Sequence, residues 1–372
     1  MRIGIMLRSI DEKGGIGVYT RNITQELLNL DRENQYILFY RTPANLGAFA
    51  QHENAEEQLI HAPNKAIWDQ VSIPRACASK KVEVLFHPKF TVPIVAPCKT
   101  VMVLHGAGWF MPEFQHFWSR SDLRNVNLSM PVYLNRASAV LSVSQLTTDV
   151  FNNKFHPPHG KIKTVYFAPA RNFKRLTDPQ TLVHVREKYA LPERFILSLS
   201  GYDRGDRKNF AGILNAYQIL HERVEHKLVV VGKDCYKFKA DYQIPDTGFG
   251  SDILFTGWVD QADLPAFYSL ADVFLYPSHV EAFPIPITEA LACGTPIVTS
   301  DSNGLKELVG EAALMVNPLD HQAIAESLYQ VLCSPELREE LSSKGTQRAK
   351  KFTWDRCAKE TLDVLTGVVT GP

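Results

Sequence analysis

Two glutamates eight residues apart, Glu281 and Glu289, carry the clearest chemical potential in this sequence. Their carboxylates could accept hydrogen bonds from the hydroxyl groups of a ligand. Acidic side chains are usually solvated surface charges, so the pair gains meaning only from the elements on either side of it. Those elements decide whether both carboxylates reach a place where ligands bind.

The residues around the pair form one βαβ unit. Two short apolar runs, residues 273–276 and 297–299, have the composition of strands buried on both faces, and the stretch between them accommodates one loop and one helix. The loop carries Glu281. The helix is expected to begin near Pro286, because proline at the first helical position loses no hydrogen bond, and this places Glu289 in the first turn. Both glutamates are then expected at the carboxyl edge of a parallel sheet, where open α/β sheets bind ligands.

This segment resembles the donor-sugar signature of the retaining glycosyltransferases of family 4, which have the two-domain GT-B fold. The resemblance rests on Glu281, Phe283 and Glu289 together with the run Ala-Cys-Gly-Thr-Pro-Ile-Val at residues 292–298. It covers the whole chain and is strongest over residues 201–318. It implies a metal-independent transfer of a hexose from a GDP- or UDP-sugar to a glycan or lipid-linked acceptor, with retention of configuration.

The resemblance also implies a role for each residue of the segment. Glu281 and the backbone at Phe283 hold the sugar, while Glu289 accepts hydrogen bonds from the ribose hydroxyls. In this family the departing phosphate takes the proton of the acceptor, so Glu281 is a catalytic stabiliser and no side-chain nucleophile is required. Family members commonly have glycine where this chain has Ala282 and Pro284, and Pro284 has no N–H to offer a sugar hydroxyl.

The loop of residues 201–209 is a second candidate for chemistry. A departing nucleoside diphosphate accumulates negative charge, which Arg207 and Lys208 could neutralise just before a helix N-terminus. Gly201 and Lys208 match the phosphate clamp of the resembled family. Many members have arginine directly after this glycine, and here the guanidinium would have to come from Arg204 or Arg207. Without the glutamates downstream, the basic pair would be interpreted as a solvated surface.

Near the beginning of the chain, a strand at residues 3–7 leads into a loop that contains glycines. Gly14, Gly15 and Gly17 lie where this loop enters a helix expected from about Gly17 to Leu30. Glycine lets a ligand approach the backbone, and a helix N-terminus attracts phosphate, so we interpret Gly15 as part of a loop that faces the diphosphate. A dinucleotide-binding fold is the rival interpretation, but the third glycine of its fingerprint is missing. Glycines of a simple tight turn are the structural alternative.

His105 directly follows the strand expected at residues 100–104, again at the carboxyl edge of a sheet. In the resembled family a histidine at this place contacts the donor sugar and is usually followed by aspartate, whereas Gly106 follows it here. A single histidine is often a structural residue, and both interpretations of His105 stay open.

Gly257 follows the strand expected at residues 253–256 and matches the edge where the resembled family binds the base of the donor. Backbone groups contact the base at this edge, so the sequence does not identify the nucleotide. No Asp-x-Asp pair occurs in the chain, and the usual carboxylate ligands for a divalent ion on a diphosphate are therefore missing. We expect no metal and no cofactor.

The composition is typical of a soluble globular protein, with 45% hydrophobic and 22% charged residues. The net charge is zero, but basic residues outnumber acidic ones by 18 to 13 in residues 1–170, which would suit an anionic acceptor or membrane surface. No nucleic-acid partner is expected. The six cysteines show no disulfide spacing, and no apolar run is long enough to span a membrane. These features predict a cytoplasmic protein, at most peripheral at the inner face of the membrane.

Residues 109–118 contain five aromatic side chains and one methionine. Such a segment is most often part of a core or a packed lid. The alternative is an exposed patch of the N-terminal domain that touches lipid or a hydrophobic carrier.

Strands and helices alternate on both sides of an irregular stretch, which predicts an α/β protein with two doubly wound, Rossmann-like parallel-sheet domains that face each other across a cleft. We place an acceptor-side domain at residues 1–168, a linker at 169–190 and a nucleotide-sugar-binding domain at 191–352. Residues 353–372 are expected to form a helix that could pack back on the N-terminal domain.

Two other functions stay open at this stage. A hydrolysing sugar-nucleotide epimerase with a GT-B fold would need acid and base groups that we cannot locate. A non-catalytic nucleotide-sugar-binding module is suggested only by Pro284 and Gly106.

Overall fold

The computed structural model describes residues 1–12, 14–202, 205–302 and 304–371. The strands are β1 (Arg2–Met6), β2 (Gln35–Tyr40), β3 (Ala55–Leu59), β4 (Val84–His87), β5 (Lys99–Leu104), β6 (Ala139–Ser142), β7 (Ile162–Thr164), β8 (Phe195–Leu199), β9 (Lys227–Val231), β10 (Ile253–Gly257), β11 (Val273–Tyr276), β12 (Ile297–Ser300) and β13 (Leu314–Val316). The α-helices are α1 (Gly15–Leu30), α2 (Lys65–Ile67), α3 (Ile73–Ser79), α4 (Arg120–Arg136), α5 (Gln145–Phe155), α6 (Pro179–Lys188), α7 (Phe210–Leu220), α8 (Lys237–Asp241), α9 (Leu264–Leu270), α10 (Ile285–Cys293), α11 (Leu305–Val309), α12 (His321–Cys333), α13 (Pro335–Ala349) and α14 (Trp354–Thr370).

The chain forms two compact units. The first consists of Met1–Ala168 and Thr353–Pro372, and the second is Pro169–Phe352. Within the first unit α14 packs against α1, and the Trp354 ring stacks on Phe167 with 6.1 Å between ring centroids. The C-terminal helix is therefore part of the first unit although the whole second unit precedes it in the sequence.

Each unit contains one parallel sheet. The strand order is β3-β2-β1-β4-β5-β6-β7 in the first unit and β10-β9-β8-β11-β12-β13 in the second. Both orders reverse beside the first strand of the unit, between β1 and β4 and between β8 and β11. Loops that leave the carboxyl ends of such neighbouring strands run in opposite directions and leave a crevice, which is where open α/β sheets bind ligands. The predicted α/β class with two doubly wound parallel sheets is confirmed.

The sheets are parallel because their central strands are apolar on both faces and helices cover both sides. All four residues of β4 and of β11 are buried. In the second unit the Phe210 ring on α7 stacks on Phe238 on α8, with ring centroids 3.9 Å apart and planes 7° from parallel. This packing fixes the start of α7, which follows the basic loop after β8.

Two stretches contain more structure than their sequences indicated. The edge strand β3 lies in a region without a clear hydrophobic pattern. Its sequence, Ala-Glu-Glu-Gln-Leu, can be polar because the strand is only partly buried and an edge strand needs no apolar second face. Residues 169–190, which we predicted as an irregular linker, contain α6 and belong to the second unit. Asp178 begins that helix by accepting a hydrogen bond from the Thr181 N–H at 2.9 Å.

Gly17 lies in the first turn of α1, where a side chain would collide with the preceding loop. A Cβ atom at this position would lie 1.8 Å from the Glu12 carbonyl oxygen and 3.2 Å from that of Ser9. At the N-cap residue Gly14, a Cβ atom would meet nothing within 4 Å. Gly17 is thus required for the close approach of loop and helix, while Gly14 is not.

We expect Gly17→Ala to lower the free energy of unfolding by about 1–3 kcal/mol, because the backbone of the loop must move to admit the methyl group. Gly14→Ala is the matched control and should stay within about 0.5 kcal/mol of the wild type. Urea denaturation of both variants measures the difference, and equal midpoints would contradict the assignment of Gly17.

Candidate active site

The basic loop after β8 and the loop after β11 are joined at the crevice of the second unit. The His279 N–H donates to the Arg207 carbonyl oxygen at 3.0 Å. In return, Arg207 Nη1 donates to the Val280 carbonyl oxygen at 3.0 Å. These two bonds place Arg207 beside the loop that carries Glu281. Arg204, the other candidate for the clamp guanidinium, lies outside the described residues.

The Glu281 carboxylate is held by a cation and two hydroxyl groups. Its Oε1 atom lies 2.7 Å from Arg207 Nη1 and accepts hydrogen bonds from the hydroxyls of Tyr276, at 2.8 Å, and Ser278, at 3.4 Å. The Glu281 side chain is 13% exposed. The first predicted glutamate therefore faces the predicted basic clamp directly and is fixed by the residue that ends β11.

Lys208 lies on the other side of Tyr276. Its Nζ atom donates to the Leu199 carbonyl oxygen at the end of β8, at 3.3 Å, and lies 5.7 Å from the centre of the Tyr276 ring. The Tyr276 side chain thus has Glu281 at its hydroxyl group and Lys208 over its ring. A strand residue that the sequence did not single out separates the two charges.

Glu289 lies deeper than the sequence predicted. The helix α10 begins at Ile285 with Pro284 as its N-cap residue, so Glu289 is its fifth residue and the prediction of a first-turn position is wrong. The favourable effect of the macrodipole fades beyond the first turn, and burial dominates instead. Glu289 is 3% exposed, and its Oε2 atom accepts a hydrogen bond from the Tyr268 hydroxyl at 2.8 Å.

Burial raises the pKa of Glu289 to about 7. The Tyr268 hydrogen bond, the positive charge of Lys208 and a hydrogen bond from Gln261 oppose this rise by favouring the ionised form. Lys208 is thus near enough to act on Glu289. The Glu289 carboxylate changes charge near neutral pH.

Phe283 and the residues around it form a supported turn. Phe283 is buried, and its ring makes an edge-on contact with Phe352, with centroids 5.4 Å apart. Gly304 supports the turn from behind at a φ of +85°, where a Cβ atom would lie 2.6 Å from the carbonyl oxygens of both Glu281 and Ala282. The turn has a defined shape although Ala282 and Pro284 replace glycines.

Gly257, the residue predicted at the base-binding edge, ends β10 with a φ of +73°. Its carbonyl oxygen accepts from the Gly232 N–H at 2.9 Å, and a Cβ atom on Gly232 would lie 2.4 Å from the Gly201 nitrogen. Gly201 and Gly257 therefore lie at the same edge of the sheet, on either side of Gly232. The next residue, Trp258, is 55% exposed.

In the first unit, Gly15 is the first residue of α1 and is exposed, so the helix begins two residues earlier than predicted. His105 is close to this helix, because its ring lies edge-on to Tyr19 of α1 with centroids 4.9 Å apart. His105 Nε2 is 2.9 Å from the Pro88 carbonyl oxygen. A carbonyl only accepts hydrogen bonds, so Nε2 carries the proton and Nδ1 is left as an acceptor.

Burial lowers the pKa of His105 to about 4, and the charge of Lys89 acts in the same direction. The ring is therefore neutral near pH 7. A neutral imidazole with Nδ1 as an acceptor can receive a hydrogen bond from a hydroxyl group, and it cannot act as a cation toward phosphate.

A polar cluster that the sequence did not indicate lies at the crevice between β1 and β4. Arg8 Nε is 3.1 Å from Asp69 Oδ1, and the two side chains are only 6% and 8% exposed. Burial raises the pKa of Asp69 to about 6 in spite of this pairing. The neighbouring His87 donates from Nδ1 to the Thr91 carbonyl oxygen, at 2.6 Å, and its buried Nε2 atom has no hydrogen-bond partner among the described residues.

The comparison with known proteins decides the family. The family model for glycosyl transferases group 1 matches residues 185–348. The chain is 30% identical to O-antigen chain mannosyltransferase B of Escherichia coli over 311 aligned residues. The alignment covers 82% of this chain and 78% of that protein. The chain belongs to the group 1 glycosyltransferases.

A second relative of this transferase is a GDP-mannose-dependent alpha-(1-6)-phosphatidylinositol monomannoside mannosyltransferase of Mycolicibacterium smegmatis. The two are 28% identical over 282 residues, or 71% of this chain and 68% of that protein. Among solved structures, a sucrose-phosphate synthase from Thermosynechococcus elongatus aligns with a TM-score of 0.79 over the full length of both chains at 18% identity. This last likeness concerns the fold, and the GT-B fold predicted from the sequence is confirmed.

The site residues of the transferase thus form two groups, one in each unit. Arg207, Lys208, Glu281 and Glu289 lie at the crevice of the second unit, while Gly15 and His105 lie in the first, where His105 contacts Tyr19 of the helix that Gly15 begins. Tyr268, Tyr276 and Asn209 were missed, because tyrosines in apolar segments are indistinguishable from core residues in a sequence. For Asn209 a signal existed, since asparagine next to a helix start is typical of a cap.

Two further expectations concern metals and membranes. In residues 1–12, 14–202, 205–302 and 304–371, no group of three or more His, Cys, Asp or Glu side chains is placed to hold a metal ion. Within the same part of the transferase, no helix has both the length and the apolar character needed to span a bilayer.

The aromatic segment of residues 109–118 is packed rather than open to solvent. Its five aromatic side chains are buried or half-buried. The Trp109 ring contacts Phe90 and Trp118 edge-on, with centroids 5.3 and 6.0 Å apart, and Phe110 meets Phe151 at 5.1 Å. This favours the packed alternative, and contact of the first unit with a membrane stays a prediction.

Proposed function

We propose that this glycosyltransferase moves mannose from GDP-mannose to the sugar of a glycan or lipid-linked glycan, with retention of configuration and without a metal ion. The observation that carries the proposal is the meeting of Arg207, Lys208, Glu281 and Glu289 at the strand-order reversal of the second unit. Cations for a diphosphate and carboxylates for hydroxyl groups are what a nucleotide-sugar requires.

The diphosphate of the donor would bind to Arg207 and Lys208, because the first N–H groups of α7 already donate to the side chains of Asp206 and Asn209. Its two phosphates gain negative charge as the bond to the sugar breaks, and fixed cations stabilise that charge most when it develops in the transition state. These two cations would replace the divalent ion that many nucleotide-sugar enzymes use.

The sugar and the ribose would be held by the two glutamates. Glu281 is fixed by Arg207 and Tyr276, so its carboxylate keeps its position without help from the ligand. This suits a group that stabilises positive charge on the anomeric centre. Glu289 accepts hydrogen bonds from the ribose hydroxyls most strongly when ionised, and its pKa of about 7 makes this interaction depend on pH near neutrality.

The identity of the donor is inferred from the relatives. Both curated relatives described above are named mannosyltransferases, and the name of one specifies GDP-mannose. Mannose is therefore the first sugar to test and GDP the first nucleotide. Their acceptors, an O-antigen chain and a phosphatidylinositol mannoside by name, support a glycan or a glycolipid as the acceptor class.

Retention without an enzyme nucleophile is supported by the state of Glu281. The ion pair with Arg207 at 2.7 Å and the hydrogen bonds from two hydroxyls, all at Oε1, withdraw electron density from the Glu281 carboxylate and make it a weaker nucleophile. The departing phosphate would then take the proton of the attacking hydroxyl on the same face of the sugar. The side chains of the site bind and stabilise, and none needs to exchange a proton.

The acceptor would use the first unit, where Arg8 with Asp69 and Lys89 with Glu12 form two ion pairs at one edge of the sheet. Because each cation is already paired, this edge suits neutral sugar hydroxyls better than a phosphate. Gly15 and the neutral His105 lie in the same unit.

We expect turnover with GDP-mannose, unchanged within about twofold by excess EDTA, because the cations of the protein replace the metal. The test is release of the matching nucleoside diphosphate from GDP-mannose, UDP-glucose and dTDP-glucose with and without the chelator, followed by NMR of the product to read its anomeric configuration. Transfer only from another nucleotide, inversion, or complete loss of turnover in EDTA would each contradict the corresponding part of the proposal. Conversion of the donor to an epimer would indicate the epimerase alternative.

A further inference from the structure

Asn209 occupies an unusual position between the basic loop and α7. It is 2% exposed and has φ 59° and ψ 48°, in the left-handed region. Glycine and asparagine adopt this conformation most readily. Backbone geometry alone would thus allow glycine here, and the side chain of Asn209 must account for the choice of asparagine.

The Asn209 amide makes three hydrogen bonds. Its Oδ1 atom accepts from the Gly212 N–H at 3.0 Å, which caps the helix. Its Nδ2 group donates to the carbonyl oxygens of Pro277, at 3.0 Å, and Pro318, at 2.7 Å. Both N–H bonds of the amide are therefore directed away from the helix, into two other loops.

These two loops matter for the site. Pro277 directly follows β11 and begins the loop that carries Glu281, and Pro318 follows β13. A proline has no N–H, so its carbonyl oxygen is its only backbone hydrogen-bonding group. Asn209 directly follows Lys208, and it holds those two carbonyls at the start of α7.

Gly212 makes room for this arrangement. A Cβ atom on Gly212 would lie 2.5 Å from both Nδ2 and Oδ1 of Asn209. Glycine weakens a helix interior, so its presence here requires a reason from packing. The space it leaves is filled by the Asn209 amide.

We propose that Asn209 is a positioning residue that sets the loop carrying Glu281 against the loop carrying Arg207 and Lys208 through its bonds to Pro277 and Pro318. The inference rests on the proposed function for its catalytic consequence. The two hydrogen bonds from Asn209 to Pro277 and Pro318, which we call the clamp from here on, are a property of the free protein. They can be measured without any substrate.

Asn209→Asp separates this role from simple helix capping. Aspartate tolerates the left-handed conformation and caps a helix as well as asparagine does, but it has no N–H to donate to the two proline carbonyls. If Asn209 only caps α7, the variant should resemble the wild type. If Asn209 positions the loop, the variant should lose the clamp while keeping the cap.

The first measurement is hydrogen–deuterium exchange of the full chain without ligand. We expect Asn209→Asp and Gly212→Ala to raise deuterium uptake in peptides that cover residues 277–284, because either change breaks the bond to Pro277. Asp178→Asn, which exchanges the same two residue types at the cap of α6, is the matched control and should leave that segment unchanged. Unchanged uptake in both test variants would overturn the clamp.

The second measurement is steady-state transfer with GDP-mannose. We expect Asn209→Asp to lower kcat by roughly 10- to 30-fold with a KM for the donor within about threefold of wild type, because a displaced catalytic group costs rate more than affinity. In a Glu281→Gln background the same change should have less than about a threefold effect, since residues that act as a unit are not additive. A full additional loss in that background would overturn the positioning role. If the wild type transfers no mannose, the proposed function fails, while the exchange measurement still decides whether the clamp exists.

Discussion

Glu281→Gln should leave the affinity for GDP within about twofold of wild type and lower kcat for mannose transfer by about 100- to 1000-fold, because the lost interaction is made in the transition state. Glutamine keeps the shape of the side chain and can still accept hydrogen bonds from Tyr276 and Arg207. What disappears is the negative charge that the proposed function places close to the anomeric carbon. As the bond to phosphate breaks, positive charge develops there, and a fixed carboxylate stabilises it.

Titration calorimetry with GDP and release of GDP from GDP-mannose measure the two quantities separately. Glu340→Gln is the matched control: Glu340 is also ion-paired, with Lys344 at 2.7 Å, but it lies on the surface of α13 and its loss should change neither quantity. Full turnover of Glu281→Gln would refute the role of Glu281. A parallel loss of GDP affinity would show that the glutamate organises Arg207 for the phosphate instead.

Glu289→Gln should stabilise the protein against unfolding, and more so as the pH rises. The pKa of Glu289 is raised from 4.5 to about 7, so the folded state holds the proton more tightly than the unfolded state does. Below pH 4.5 the carboxyl group is neutral in both states and carries no penalty. Between pH 4.5 and 7 the unfolded state ionises first, and the folded state loses stability. Above pH 7 the penalty is complete, at roughly 3 kcal/mol.

Urea denaturation of wild type and Glu289→Gln at pH 5.5 and 8.5 tests this directly. The difference between their free energies of unfolding should grow by about 2 kcal/mol from the lower to the higher pH. Taking the difference at each pH cancels the titration of other buried groups, such as Asp69 and His105. Tyr268→Phe is the companion variant, and it should show a larger loss of stability at pH 8.5 than at pH 5.5, because it removes a hydrogen bond that favours the ionised carboxylate. A difference between wild type and Glu289→Gln that does not change with pH would show that Glu289 is already ionised at pH 5.5.

The same change should weaken the binding of GDP if Glu289 binds the ribose. A buried ionised group that costs stability is then retained for its contact with the donor, which is a frequent compromise at active sites. If Glu289→Gln is more stable than the wild type and also binds GDP more weakly, the cost in stability and the contact with the donor belong to the same residue.

The sequence predicted the βαβ unit that carries the glutamates but misplaced the start of its helix. The run Pro284-Ile285-Pro286 contains two prolines, and both the N-cap position and the first turn accept proline. A local pattern therefore allows either residue to begin the helix. That choice decides whether Glu289 lies in the first turn of the helix. It therefore also decides whether the helix dipole or burial has the larger effect on its pKa.

The sequence by itself determined the fold class and the candidate residues of the second unit, because both depend on local patterns. Apolar runs of strand length alternate with helical segments, Arg207, Lys208 and Glu281 stand in loops between such segments, and the resemblance to the family added Glu289 inside the helix that follows. These patterns reflect hydrogen bonding and burial within a few residues of each position.

Only the tertiary structure decided which of these residues act on one another. Arg207 pairs with Glu281, 74 positions further along the chain, and Asn209 reaches Pro318 across 109 positions. The pKa of Glu289 follows from the water that surrounding helices exclude and from the Tyr268 hydroxyl on α9. A sequence pattern states what each side chain could donate, accept or ionise. Distance and the exclusion of water set the strength of those interactions, and both arise only when remote segments pack together.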